Sequence, residues 1–183
     1  MKPELASWSN FYVMVGSSAA ALTGLMFVVI TLISQIERTE ASEEGLAAFG
    51  TPTVLHFCAP LFIAAILSAP WGSLGPIVIL LAVVGLFGFA FIVRAMLRTT
   101  NIAYTPDLSD WIWYMLCPLI AYAVILTGAV GLLFFAKTAL FLIAAAAVAL
   151  MFLGIRNAWD TVTYLGVLNV ERDSSSAEAE GDR

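Results

Sequence analysis

The stretch FYVMVGSSAAALTGLMFVVITLI, residues 11–33, decides the fold class, because it runs 23 positions without a charged side chain. At about 1.5 Å per residue a helix of that length reaches roughly 35 Å, enough to cross a hydrocarbon core of about 30 Å. A cleaved signal peptide has a shorter apolar core and a polar mature chain behind it. Here further apolar segments follow, so residues 11–33 read as a permanent transmembrane helix.

The rest of the 183-residue chain agrees. Hydrophobic residues make up 61% and charged residues 11%, with a mean hydropathy of +0.96. A soluble domain carries about a quarter of its residues charged, so the composition predicts an integral membrane protein. The net charge of −5 is concentrated: Glu37–Glu44 and Glu171–Arg183 each carry a net −3, and the remainder sums to +1. No basic footprint for nucleic acid is present. The tail ERDSSSAEAEGDR lacks the apolar groups that offset ordering entropy and reads as disordered. The expected division is a transmembrane helical domain over 1–168 and an acidic tail over 169–183.

Five apolar segments emerge, at about 11–34, 53–69, 76–97, 111–135 and 138–158. Pro76 suits the first turn of the third helix, and Asp107 or Ser109 offers an N-cap to the fourth. The predicted fold is an all-α polytopic bundle of five spans. The second segment is short and carries His56 and Pro60. Were it re-entrant, four spans would remain. With five spans, Arg38, Arg94, Arg98, Arg156, Arg172 and Arg183 share one side, and Lys2 and Lys137 the other. That asymmetry predicts an outside N-terminus and a cytoplasmic C-terminus. A weak echo, Cys58-Ala-Pro-Leu against Cys117-Pro-Leu, followed by Ile92-Val-Arg94 against Gly154-Ile-Arg156, suggests a duplicated helical hairpin over 51–98 and 109–160.

Three groups of residues invite a function. Placed at about 100° per residue, Gly16, Ala20, Thr23, Gly24, Thr31 and Ser34 fall on one narrow arc of the first helix. Such small-xxx-small seams allow backbones to approach where no hydrophobic drive acts between helices. The seam is expected to meet another helix, in the same or a second subunit, or to line a polar path. Arg94, Arg98, Arg156 and Asp160 gather at one end of the third and fifth spans, as a pore mouth or as topology anchors. His56, Cys58 and Cys117 are soft-metal ligand types without metal-site spacing, so no metal or other cofactor is expected. Gly16-Ser17-Ser18-Ala19 fits the loose G-x-S pattern of intramembrane serine proteases, but Ser18 and the sole histidine sit at depths about 15 Å apart, too far for a nucleophile and its base. An enzyme is therefore not expected.

Trp8-x-x-Phe11, the segment Gly16-Ser-Ser-Ala-Ala-Ala-Leu-Thr-Gly-Leu-Met-Phe-Val and the closing Arg156-Asn-Ala-Trp-Asp160 resemble a loose group of short uncharacterised bacterial multi-span membrane proteins. The resemblance implies a bacterial cytoplasmic membrane and no particular activity. The leading expectation is a homo-oligomeric channel or pore for small ions. A non-conducting accessory or scaffold protein with a membrane-protein partner is the alternative, and a small-solute transporter the second. The lipid bilayer and further copies of the chain are the expected partners.

Overall fold

A computed structural model describes residues 7–36, 40–99 and 111–181, and side chains over 7–31, 52–97, 111–160 and 162–163. Apart from short turns, the described residues are helical: α1 (Ser9–Ile36), α2 (Glu40–Ser68), α3 (Leu74–Thr99), α4 (Cys117–Gly131) and α5 (Ala136–Gly181). A π-helical segment, Trp111–Leu116, leads directly into α4. Pro76 falls in the first turn of α3, where its missing N–H costs nothing. The candidate caps Asp107 and Ser109 lie outside the described residues.

Four helical stretches are long and apolar enough to cross a membrane: Ser9–Thr31, Leu74–Leu97, Trp111–Gly131 and Ala136–Asp160. The apolar part of α2, Pro52–Ser68, is shorter. At about 1.5 Å per residue it rises roughly 25 Å. Even so, α2 is one unbroken helix, with Ala64 brought level with Gly16 near the start of α1. It therefore runs antiparallel to α1 along the bundle instead of turning back part-way, as a re-entrant segment over 53–69 would.

Packing order follows from the contacts. α1 lies on α2, α2 on α5, α5 on α4, and α4 on α3, while α2 and α3 touch lightly although they are consecutive. The hairpin of α4 and α5 is closed and that of α2 and α3 is open, so the two segments suggested as repeats do not pack alike. The window that crosses as α5 is 50% buried, against 17% for α1, so α5 is central, together with α2, and α1 peripheral. Ile63, Ile77, Leu81, Ile125, Leu140, Ile143 and Leu150, all fully buried, fill the centre.

Glycines set the helix separations. A Cβ on Gly85 would lie 2.9 Å from the Leu126 backbone nitrogen, and one on Gly128 would lie 2.8 Å from Ile143 Cγ1. These crossings bring backbones close enough for dispersion to hold helices whose outer faces are as apolar as lipid.

Two prolines act on the helices that contain them. Pro60, buried in α2, has no N–H to give the carbonyl of His56 four residues earlier, which weakens that turn. Pro118 withholds the same bond from Tyr114, and its ring crowds that carbonyl. The widened turn of Trp111–Leu116 relieves the crowding. Replacing Pro118 with alanine is expected to return this segment to α geometry and swing Trp113 away from Arg156. A double-mutant cycle checks it: Arg156→Met should cost about 0.5–1 kcal/mol in the parent and nothing in Pro118→Ala.

Past the membrane-length part, α5 continues through Gly181, over residues that composition reads as a disordered tail. Extending an existing helix avoids the cost of nucleation, and the Ala and Glu residues there favour the helix. Lack of a hydrophobic face argues against a packed core in that segment, not against helix.

Candidate functional site

The small-residue arc of α1 is not its packing face within the subunit. Buried on α1 are Tyr12, Val15, Ala19 and Met26, an arc centred roughly 100° around the helix from the predicted seam. Gly16 sits at the margin, where an added Cβ would be 3.0 Å from Ala64 Cβ. Thr23 is half-buried, whereas Ala20, Gly24 and Thr31 are exposed. The side chain of Ser34 lies outside the described residues. Side-chain bulk does not set this rotation, since Ala19 is buried while Met14, Leu25 and Phe27 are exposed on the same helix. The hydroxyls of Thr23 and Thr31 each donate to the carbonyl one turn back, Ala19 and Phe27, both at 2.8 Å. That is the usual intrahelical refuge of a hydroxyl in an apolar setting.

The charged residues at the other end do not form one ring. Arg156 on α5 stacks over Trp113 at 4.5 Å from the ring centroid and lies 3.6 Å from Asp160. The Tyr114 hydroxyl donates to the same Asp160 oxygen at 3.3 Å. This cluster joins α5 to the π-helical segment. Both ion-pair side chains are more than a third exposed (36% and 38%), so the pair itself contributes little and the stacking more. Arg94 is exposed on α3, which packs on α4 rather than α5. The side chain of Arg98 lies outside the described residues.

A third arrangement was not legible beforehand. His56 is fully buried, and its Nδ1 lies 3.2 Å from the hydroxyl of Tyr122, which is also fully buried. Two close crossings assemble this pair from α2 and α4. Gly88 lets α3 press on the Tyr122 ring, with an added Cβ only 2.1 Å from Cε1. Gly154 receives the ring of Phe57, with an added Cβ 2.5 Å from its Cε1, and so sets α5 against α2 beside His56. Among the described residues, nothing hydrogen-bonds to His56 Nε2. Thr53 and Asn157 are the other buried polar residues described, one turn before His56 and one turn after Gly154. Sequence reasoning singled out His56 but missed Tyr122, Thr53 and Asn157. A tyrosine flanked by Ala121 and Ala123 inside a span was the available signal.

Other candidate sites are not assembled. Cys58 and Cys117 are free thiols, both half-buried. No three His, Cys, Asp or Glu side chains among the described residues come together to hold a metal, so His56, Cys58 and Cys117 do not converge. Ser18 is exposed on α1 while His56 is enclosed and paired with Tyr122, so the two do not form a dyad.

Together the apolar helices and the close-packed core define the class: a multi-pass helical membrane protein. No protein-family profile, curated protein or solved structure matches the chain.

Proposed function

We propose that this is a self-associating, non-enzymatic scaffold of the bacterial cytoplasmic membrane, whose copies pack through the small-residue arc of α1. The observation that carries this reading is the contrast among glycines. Away from the turn before α3, Gly16, Gly85, Gly88, Gly128, Gly131 and Gly154 each meet a neighbouring helix within 3.4 Å of where a Cβ would stand. Gly24, well inside α1, meets nothing within 4 Å. Among the described residues, the glycines well inside the spans serve close helix approach except Gly24, which lies on the outward face beside Ala20 and Thr31; the other open ones, Gly72 and Gly75, stand at the entry to α3. A second copy offering the same face makes a two-fold contact, the commonest form of self-association. The six-to-two division of Arg and Lys supports an outside N-terminus and a cytoplasmic C-terminus.

Cross-linking tests the contact. Gly24→Cys, in a chain with Cys58 and Cys117 replaced by alanine, is expected to form a disulfide-linked dimer on mild oxidation in the membrane, because facing Cα atoms would stand within about 4.4–6.8 Å. Phe87→Cys, on the exposed face of α3, serves as the random-collision control. Equal cross-linking at the two positions would sink the proposal.

A conducting assembly is the second reading, and Thr23 and Thr31 on the same arc favour it. The centre of each subunit is filled by apolar side chains, so an ion path would run along the seam between copies. Ion flux through liposomes, measured on the cross-linkable protein, separates a conducting oligomer from an inert one.

A further inference from the structure

We propose that His56 is an intramembrane proton-binding site, and that taking up a proton opens α2 at the turn Pro60 weakens. The proposal stands apart from self-association through α1, and the two fail by different measurements.

Three observations meet at this position. The imidazole is fully buried, and one nitrogen is engaged by Tyr122 while Nε2 is enclosed without a hydrogen-bonding partner among the described residues. The helix that carries it lacks the backbone bond from residue 60 to the carbonyl of residue 56, so a turn weakened by proline begins at His56 itself. An ionisable group inside a bundle is expensive and marks function by default.

The surroundings determine what a proton does there. Neutral His56 bonds Tyr122 and leaves Nε2 either as a bare lone pair or as an unanswered N–H, depending on tautomer. One proton from water makes both nitrogens donors. Nδ1–H then donates to the Tyr122 oxygen, and Nε2–H has no acceptor. From α4 the facing titratable group is Tyr122, with the Cys117 thiol farther along the same helix. From α1, the Tyr12 hydroxyl is already directed to the Leu140 carbonyl at 3.4 Å. From α3, Arg94 is exposed. From α5, Arg156 is stacked on Trp113, and Asp160, the one carboxylate among the described side chains, is engaged by Arg156 and Tyr114. On α2 itself, Thr53 and Cys58 are the neighbouring groups among the described side chains. Among the described side chains no anion is free to neutralise an imidazolium, so the charge is accommodated where His56 reaches water. At the Pro60 turn, which already lacks one backbone bond, α2 can yield next to His56 itself.

The experiment uses the full chain in lipid nanodiscs. Because the chain has one histidine, 15N-labelled histidine reports this imidazole alone. Hydrogen exchange at the amides of Phe57, Cys58, Ala59 and Leu61, corrected for intrinsic rates, reports the turn. As the pH falls from about 7 to well below the ordinary imidazole range, the imidazole should acquire its second proton, and exchange at these amides should rise by up to about tenfold per pH unit with the same midpoint. His56→Gln should remove the pH dependence. An imidazole that stays neutral throughout, midpoints that do not coincide, or an equal rise in His56→Gln would each overturn the proposal. The first two are read on the unmodified protein and do not depend on how the variant folds.

Discussion

Replacing Gly88 with alanine is expected to destabilise the bundle by about 1–3 kcal/mol, although the same change in an open helix would stabilise it by up to about 1 kcal/mol. The new methyl would stand 2.1 Å from Tyr122 Cε1 and 2.5 Å from Cζ. A flexible side chain could yield, but this ring is rigid, fully buried and tied through its hydroxyl to His56. Relief therefore requires α3 to back away from α4, which loses contacts along a whole crossing, including that of Gly85 on the Leu126 backbone. Gly24→Ala provides the contrast, since nothing lies within 4 Å of that position. Unfolding midpoints in mixed detergent should rank Gly88→Ala below the parent and Gly24→Ala at or above it in a monomeric preparation. Combining Gly88→Ala with Tyr122→Leu should recover part of the loss. Equal midpoints for Gly88→Ala and the parent would show that the crossing is looser than the geometry states.

Tyr122→Phe is the second large effect, and its sign depends on its partner. Removing the hydroxyl keeps the ring against Gly88 but leaves His56 with both nitrogens unanswered in an apolar core. A buried group stripped of its bond costs about 1–3 kcal/mol, and hydrogen bonds between membrane helices average near the low end, about 0.6 kcal/mol. The expected loss is therefore about 1–2 kcal/mol. Adding His56→Leu removes the stranded group as well, so the double variant should be more stable than Tyr122→Phe alone. That ordering separates a hydrogen-bonded pair from two residues that merely pack. Were the double variant the less stable of the two, shape rather than the 3.2 Å contact would be what joins α2 to α4 here.

These two predictions concern residues that hydropathy reads only as span filler, and they show where sequence reading stops. Class, number of helices and the apolar stretches were legible, because absence of charge over a membrane thickness is a property of the chain alone; the extensions of α2 and α5 beyond those stretches were not. The short apolar part of α2 was legible too, from His56, Pro60 and its length. The direction in which α1 faces was not. Periodicity correctly placed Gly16, Ala20, Thr23 and Gly24 on one arc, but every side of a transmembrane helix is apolar, so no polar face marks which arc is outside. In a soluble helix the hydrophobic stripe supplies that information, and in lipid it is missing.

The same reason governs the site. Arg156 and Asp160 were legible as an i,i+4 pair, whereas their union with Trp113 and Tyr114 depends on the π-helical turn beside Pro118. His56 stood out as the only histidine, yet its partner lies 66 residues away on another helix. By itself, then, the sequence determined that this is a bundle of apolar helices and which residues are small, kinked or ionisable. Only the tertiary structure decided which glycines are filled, which arc of α1 is left open, and that His56 meets Tyr122. Those outcomes depend on helix rotation and crossing, set by the mutual fit of side chains from different helices, and no single segment carries that fit.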